Sequence, residues 1–124
     1  MNVVDSSGWL EYFTGGANAP FFAGVIEKPA ALLVPSITLY EVFKRVLREH
    51  SEATALTFTA QMHQGEVLML DEGIALAAAR LSLQHRLPMA DSLIYATARS
   101  RAAVLWTQDE HFAGLPGVKY RAKP

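Results

Sequence analysis

Short hydrophobic runs in the sequence alternate with longer segments whose apolar residues recur roughly every three to four positions. The short runs predict strands at residues 2–4, 31–34, 67–70 and 103–107, with a candidate fifth strand at 118–121. The longer segments predict helices at residues 6–13, 19–27, 37–50, 52–64, 74–85 and 88–102. Strands separated by helices are typical of βαβ units, so the sequence predicts an α/β fold. We expect a mostly parallel sheet of four to five strands with helices on both faces.

The composition favours a single folded domain over residues 1–124. Hydrophobic residues make up 51% of the chain and charged residues 19%, which disfavours disorder. The net charge of −1 argues against a protein that binds nucleic acid through bulk charge, although a local basic patch is compatible with it. The absence of cysteine excludes disulfides and thiolate metal sites. With no secretory signal and no apolar run long enough for a bilayer, we expect a soluble cytoplasmic protein.

Four acidic residues occupy informative positions in this pattern. Asp5 and Asp109 follow the first and fourth predicted strands. Glu41 and Asp91 lie on predicted helices that flank the same edge of the sheet. Ligands of parallel α/β sheets bind beyond the carboxyl ends of the strands, so these acids should meet there. Because neighbouring carboxylates repel one another, a cation is expected among them, and oxygen donors suit Mg²⁺ or Mn²⁺.

Each of these acids also has a simpler structural explanation. Asp5 is a good N-cap for the helix that follows it. Glu41 could form an ordinary surface pair with Arg45, one helical turn later. Asp91 would be stabilised by the positive end of its helix dipole, and Asp109 could belong to an Asx-turn. The coincidence of all four at one edge, rather than any single position, favours a site.

Other polar residues near these acids could assist such a site. Thr107 ends the fourth predicted strand and could either hydrogen-bond a carboxylate or simply end the strand. His111 is the one histidine near a candidate acid, where it could donate a proton or occupy a surface turn. Three basic residues share the helix face of Glu41 and could form either a basic stripe beside that acid or an ordinary solvated face: Lys44, Arg45 and Arg48.

Four segments that contain these acids resemble the motifs of the PIN domain family, and within it the VapC-type toxins of toxin–antitoxin pairs. They are residues 4–10 (VDSSGWL), 36–42 (SITLYEV), 87–94 (LPMADSLI) and 105–112 (LWTQDEHF), and they occur in the family order along nearly the whole chain. Each motif is weak by itself, but the ordered set is fairly specific. The resemblance implies one PIN-like nuclease domain with a three-layer α/β/α sandwich.

The resemblance also implies an activity and partners. It implies metal-dependent cleavage of RNA by an endoribonuclease toxin that uses Mg²⁺ or Mn²⁺. Carried over by position, the metal-binding acids are Asp5, Glu41, Asp91 and Asp109, with Thr107 in a supporting role. It further implies a homodimer that a small antitoxin inhibits, and contact with DNA only through that antitoxin. Water activated by the ion would attack a single-stranded or looped RNA in line and leave a 5′-phosphate and a 3′-hydroxyl.

Three alternatives stay open on the sequence alone. A receiver-like signalling module of similar size could use Asp71, which follows the third predicted strand, as a phosphoacceptor. The acidic pair that such a module needs after the first strand is missing, because Asp5 is followed by Ser6 and Ser7. The second alternative is a non-catalytic PIN-like scaffold that binds RNA or protein. The third is a metal-dependent nuclease that acts on structured DNA with the same site.

Overall fold

The computed structural model describes all residues from Met1 to Pro124. Its strands are β1 (Asn2–Val4), β2 (Leu32–Pro35), β3 (Glu66–Leu68), β4 (Val104–Thr107) and β5 (Val118–Tyr120). Its α-helices are α1 (Ser6–Thr14), α2 (Ala19–Ile26), α3 (Ser36–Glu49), α4 (Glu52–Met62), α5 (Glu72–His85) and α6 (Met89–Ser100). Two 3₁₀ helices, Pro29–Ala31 and Glu110–Phe112, complete the chain.

The strands form one sheet in the order β3-β2-β1-β4-β5, and every neighbouring pair is parallel. The central strand β1 aligns Val3 with Leu33 of β2 and with Leu105 of β4. The chain therefore leaves β1 in one direction to build β2 and β3, and later returns to its other side to build β4 and β5. The order of the strands reverses at β1, which is where α/β sheets place their ligands.

Helices cover both faces of this sheet because its strands are apolar on both sides. Val4 belongs to a buried cluster with Trp9 and Phe22, which joins the sheet to the helices α1–α4. Val3, the preceding residue, points to the opposite face and packs with Ile94 of α6. Helix α5 packs against the outer side of α6 through Ile74, Ala78 and Ala96. The predicted three-layer α/β/α sandwich is confirmed, with a sheet that is entirely parallel.

Several predicted boundaries differ from those in the structure. The third strand was predicted at residues 67–70 but is β3, which ends at Leu68 because its neighbour β2 ends at the aligned residue, Pro35. Beyond that point Met69 is 72% exposed and has no strand beside it. Helix α5 begins two residues earlier than the predicted Ile74, since Asp71 caps it by accepting a hydrogen bond from the Ile74 N–H at 2.8 Å.

Asp71 is also the residue that the receiver-like alternative would use as its phosphoacceptor. Its carboxylate accepts a hydrogen bond from its own helix, and it does not line the cavity that the other acids share.

None of the helices has the length and hydrophobicity that crossing a bilayer would require.

Candidate active site

Asp5 lies at the carboxyl end of the central strand and is 2% exposed. It caps α1, since its carboxylate accepts hydrogen bonds from the Gly8 N–H at 3.0 Å and the Ser7 hydroxyl at 2.8 Å. The Thr107 hydroxyl donates to its second oxygen at 2.8 Å. Burial nevertheless dominates and raises the pKa of Asp5 to about 7. Asp5 is therefore both the N-cap of α1 and a buried carboxylate at the predicted site.

Thr107 connects two of the predicted acids through one hydroxyl. It donates to Asp5, as described above, and accepts a hydrogen bond from the Asp109 N–H at 2.9 Å. Thr107 is fully buried at the end of β4 and does not line the cavity itself. Its contacts fit the supporting position that the sequence predicted for it.

Glu41 reaches the site from α3 and contacts the start of α1. The Ser6 hydroxyl donates to its Oε1 at 2.5 Å. The alternative surface pair with Arg45 is wrong, because Arg45 instead contacts Glu49 at 3.5 Å. Glu41 is therefore held by a tertiary contact that its own helix could not supply.

Asp91, Asp109 and His111 form a compact group, and the two acids line the cavity. The His111 Nδ1 lies 3.0 Å from Asp91 Oδ2 and 3.2 Å from Asp109 Oδ1. Potential ligand atoms of the three residues all lie within 4.8 Å of one another. Burial and then the charge of Asp109 raise the pKa of Asp91 to about 6, while the hydrogen bond from His111 opposes this. The charge of Asp109 in turn raises the pKa of His111, whose side chain is 51% exposed.

An open cavity of about 390 Å³ brings the predicted site residues together. All four acids line it: Asp5, Glu41, Asp91 and Asp109. So do the three predicted basic residues of α3, which are exposed: Lys44, Arg45 and Arg48. Sequence reasoning missed the contributions of Ser6, Ser7 and Lys123 to the lining. The two serines follow Asp5 directly, which could have indicated them, whereas nothing local marks Lys123.

The donor set of this cavity fits a hard divalent ion. Four carboxylates supply the oxygen ligands that Mg²⁺ and Mn²⁺ prefer, and no thiol competes with them. Burial, and to a lesser extent the charge of Asp109, raises the pKa values of Asp5 and Asp91, and a bound cation would lower them again. The hydroxyls of Ser6, Ser7 and Thr107 donate hydrogen bonds to the carboxylates of Glu41 and Asp5, as outer hydrogen-bond partners do in metal sites.

Comparison with family models matches residues 3–118 to the PIN domain. The chain belongs to the PIN domain family. The resemblance that the sequence motifs indicated is thus confirmed over nearly the whole chain. A comparison with curated proteins gives no significant match.

Solved PIN-domain structures share this fold. A toxin–antitoxin complex from Klebsiella pneumoniae has 25% sequence identity and a TM-score of 0.82, with 100% of both chains covered. VapC20 from Mycobacterium tuberculosis, described as a sarcin-ricin loop cleaving toxin, has 16% identity and a TM-score of 0.79 over 95% of this chain and 97% of that one. DNA-bound VapBC from Salmonella typhimurium has 17% identity and a TM-score of 0.75 over 98% of each chain.

Proposed function

We propose that this PIN-domain protein is the toxin of a toxin–antitoxin pair and that it cleaves RNA as a metal-dependent endoribonuclease. The observation that carries the proposal is the single cavity lined by four acids and by basic residues of α3. Acids bind the cation that phosphodiester cleavage uses, and basic side chains bind the flanking phosphates. The likeness to the Klebsiella toxin–antitoxin complex over the full length of both chains supports the biological setting.

In this proposal Asp5, Glu41, Asp91 and Asp109 hold Mg²⁺ or Mn²⁺. When bound, the ion supplies a Lewis acid that activates water and neutralises negative charge on a phosphate. Attack of that water on phosphorus would break the P–O3′ bond, and the departing 3′-oxygen would take up a proton, so that the products carry a 5′-phosphate and a 3′-hydroxyl.

The chain's own residues prepare the site before substrate arrives. The Gly8 N–H and the hydroxyls of Ser7 and Thr107 fix the Asp5 carboxylate in one orientation. The Ser6 hydroxyl does the same for Glu41. Such preorganisation removes the cost of ordering the ligands during reaction. Lys44, Arg45 and Arg48 bind the RNA backbone beside the acids.

The proposed partners follow from the similar structures. VapBC complexes from several bacteria share the fold, and some of them are bound to DNA. We place a small antitoxin beside this cavity as the inhibitor, and we assign any DNA contact to that antitoxin rather than to this chain. The functional unit in this proposal is a homodimer in the cytoplasm.

Cleavage of mixed cellular RNA tests the proposal directly. The purified chain is incubated with Mg²⁺, with Mn²⁺ or with EDTA, beside Asp91→Asn and a matched control, Glu110→Gln. Glu110 is an exposed acid next to Asp109 that does not line the cavity. We expect metal-dependent cleavage that falls at least about a hundredfold in Asp91→Asn and is unchanged in Glu110→Gln.

Two results would contradict the proposed function. Full cleavage in EDTA would show that the reaction does not need a metal ion. Equal activity of Asp91→Asn and Glu110→Gln would show that the acidic cluster is not the site of cleavage. Parallel incubations with a structured DNA, such as a DNA hairpin, distinguish a DNA nuclease with the same site.

A further inference from the structure

The segment that follows β5 carries a lysine into the cavity. Residues 121–124 continue past the carboxyl edge of the sheet, and the Arg121 N–H donates to the Thr107 carbonyl at 3.0 Å. Lys123, two residues later, lines the same cavity as the four acids. It is exposed and takes part in none of the salt bridges in the structure. Its ammonium group is therefore available to a ligand.

A buried asparagine fixes the backbone directly before Lys123. Asn18, at the start of α2, is 6% exposed, and its Nδ2 donates to the Ala122 carbonyl at 3.1 Å. The same amide donates to Gln108 Oε1 at 3.1 Å, and Gln108 Nε2 donates in turn to the Ser7 carbonyl at 3.4 Å. This chain of side chains connects the segment to the turn that holds Asp5. These contacts hold the backbone at Ala122, directly before Lys123, against the turn that carries Asp5.

The other two basic residues of this part of the chain, Lys119 in β5 and Arg121 after it, contact aromatic rings instead. The Arg121 guanidinium lies 4.5 Å from the centre of the Phe21 ring, where it makes a cation–π contact. The Lys119 ammonium lies 4.8 Å from the centre of the Trp106 ring. Neither residue lines the cavity. Lys123 is the one basic residue after β5 that faces the acids.

The order of the strands places Lys123 opposite the basic residues of α3. Helix α3 follows β2, on one side of the central strand, whereas residues 121–124 follow β5 at the far edge of the other side. The acids Asp5 and Asp109 follow β1 and β4, which lie between these two strands. Positive charge therefore reaches the acidic cluster from both sides.

We propose that Lys123 is a second phosphate-binding position, which holds the RNA backbone on the side of the cleaved bond opposite to Lys44, Arg45 and Arg48. The inference rests on the proposed function and adds a path for the substrate. A single strand would cross the acids from α3 toward the segment after β5, across the direction of the strands. One phosphate on each side would then position the bond between them.

Salt-dependent binding tests the assignment without requiring cleavage. Binding of a fluorescein-labelled oligouridine is measured in EDTA at several salt concentrations for the parent chain, Lys123→Ala, Lys123→Arg and Lys28→Ala. Lys28 is an exposed matched control. It precedes β2 and therefore lies near the amino ends of the strands, away from the carboxyl ends where the acids meet. One lost phosphate contact on a single strand lowers the slope of log affinity against log salt by about 0.7. We expect that decrease for Lys123→Ala, a restored slope for Lys123→Arg, and no change for Lys28→Ala.

Equal slopes for Lys123→Ala and Lys28→Ala would overturn the assignment. A second variant, Asn18→Ala, frees the Ala122 carbonyl and should lower the slope in the same direction while Lys123 is still present. Its folding is checked by circular dichroism, and a folded Asn18→Ala with the parent slope would also count against the inference. If the parent chain does not cleave RNA but Lys123→Ala still lowers the salt slope, only the proposed nuclease is refuted. If the parent chain cleaves RNA but Lys123→Ala keeps the parent slope, only the role of Lys123 is refuted.

Discussion

Asp5 carries an energetic cost that can be measured by replacing it with asparagine. The carboxylate is buried, and burial raises its pKa from 3.8 to about 7. That difference of about 3 pH units corresponds to about 4 kcal/mol of unfolding free energy, which is lost when Asp5 ionises in the folded protein. Asparagine keeps the shape and can still accept hydrogen bonds from the Gly8 N–H and the Ser7 hydroxyl. We therefore expect Asp5→Asn to stabilise the metal-free protein by up to about 4 kcal/mol at pH 8.

The dependence on pH has a definite sign. Below pH 3.8 Asp5 is protonated in both the folded and the unfolded chain, so its contribution to stability is fully present. Between 3.8 and about 7 only the folded chain holds the proton, and stability falls as the pH rises. The difference between Asp5→Asn and the parent chain should therefore shrink to less than half at pH 5. Asp91, whose pKa is raised to about 6, adds a slope of the same sign to both proteins.

Urea denaturation in EDTA, followed by fluorescence of Trp9 and Trp106, measures this difference at pH 5 and pH 8. Glu110→Gln serves as the control for loss of one exposed acid in the same region. Adding Mg²⁺ at pH 8 should stabilise the parent chain and have much less effect on Asp5→Asn. An asparagine variant no more stable than the parent at pH 8, or a gain that does not change with pH, would refute the reasoning.

Two further substitutions probe the supports of the site. Gly8→Ala should lower the unfolding free energy by about 1–3 kcal/mol in urea, because an added Cβ would lie 2.6 Å from both Phe22 Cε1 and Val4 Cγ1; unchanged stability would mean that α1 shifts freely. His111→Ala should raise Mg²⁺ affinity severalfold at pH 6 by calorimetry and change it less at pH 8.5, because the cationic ring, whose pKa is raised, competes for Asp91 and Asp109 and loses its proton as the pH rises. Weaker Mg²⁺ binding at both pH values would instead identify His111 as a ligand.

The position of the cavity was predictable because it depends on a regular property of the fold. Parallel strands present their carboxyl ends at one edge, so residues that follow strands, such as Asp5 and Asp109, must converge. The apolar circumference of α6 likewise placed Asp91 in a buried helix. These inferences need only the hydrophobic pattern and the order of the elements.

Contacts between distant segments could not be predicted in the same way. Glu41 had an obvious local partner in Arg45, but Ser6, 35 residues away, binds it instead. His111 lies 20 residues from Asp91, and their contact requires the turn after β4 to meet the first turn of α6. The end of β3 was set by the end of β2 rather than by the hydrophobicity of Met69. Each of these outcomes depends on which elements become neighbours, which no local pattern specifies.

The central position of β1 also determines when this site can exist during synthesis. Asp5 depends on Thr107, which lies 102 residues later in the chain, and β1 pairs with β4 along its whole length. A nascent chain that has produced α3 already carries Asp5 and Glu41, yet it lacks Asp91, Asp109 and half of the sheet beside β1. Lys123 follows later still. The acidic cluster is therefore completed only after the residues that follow β4 have been synthesised, so a shorter nascent chain carries an unfinished site.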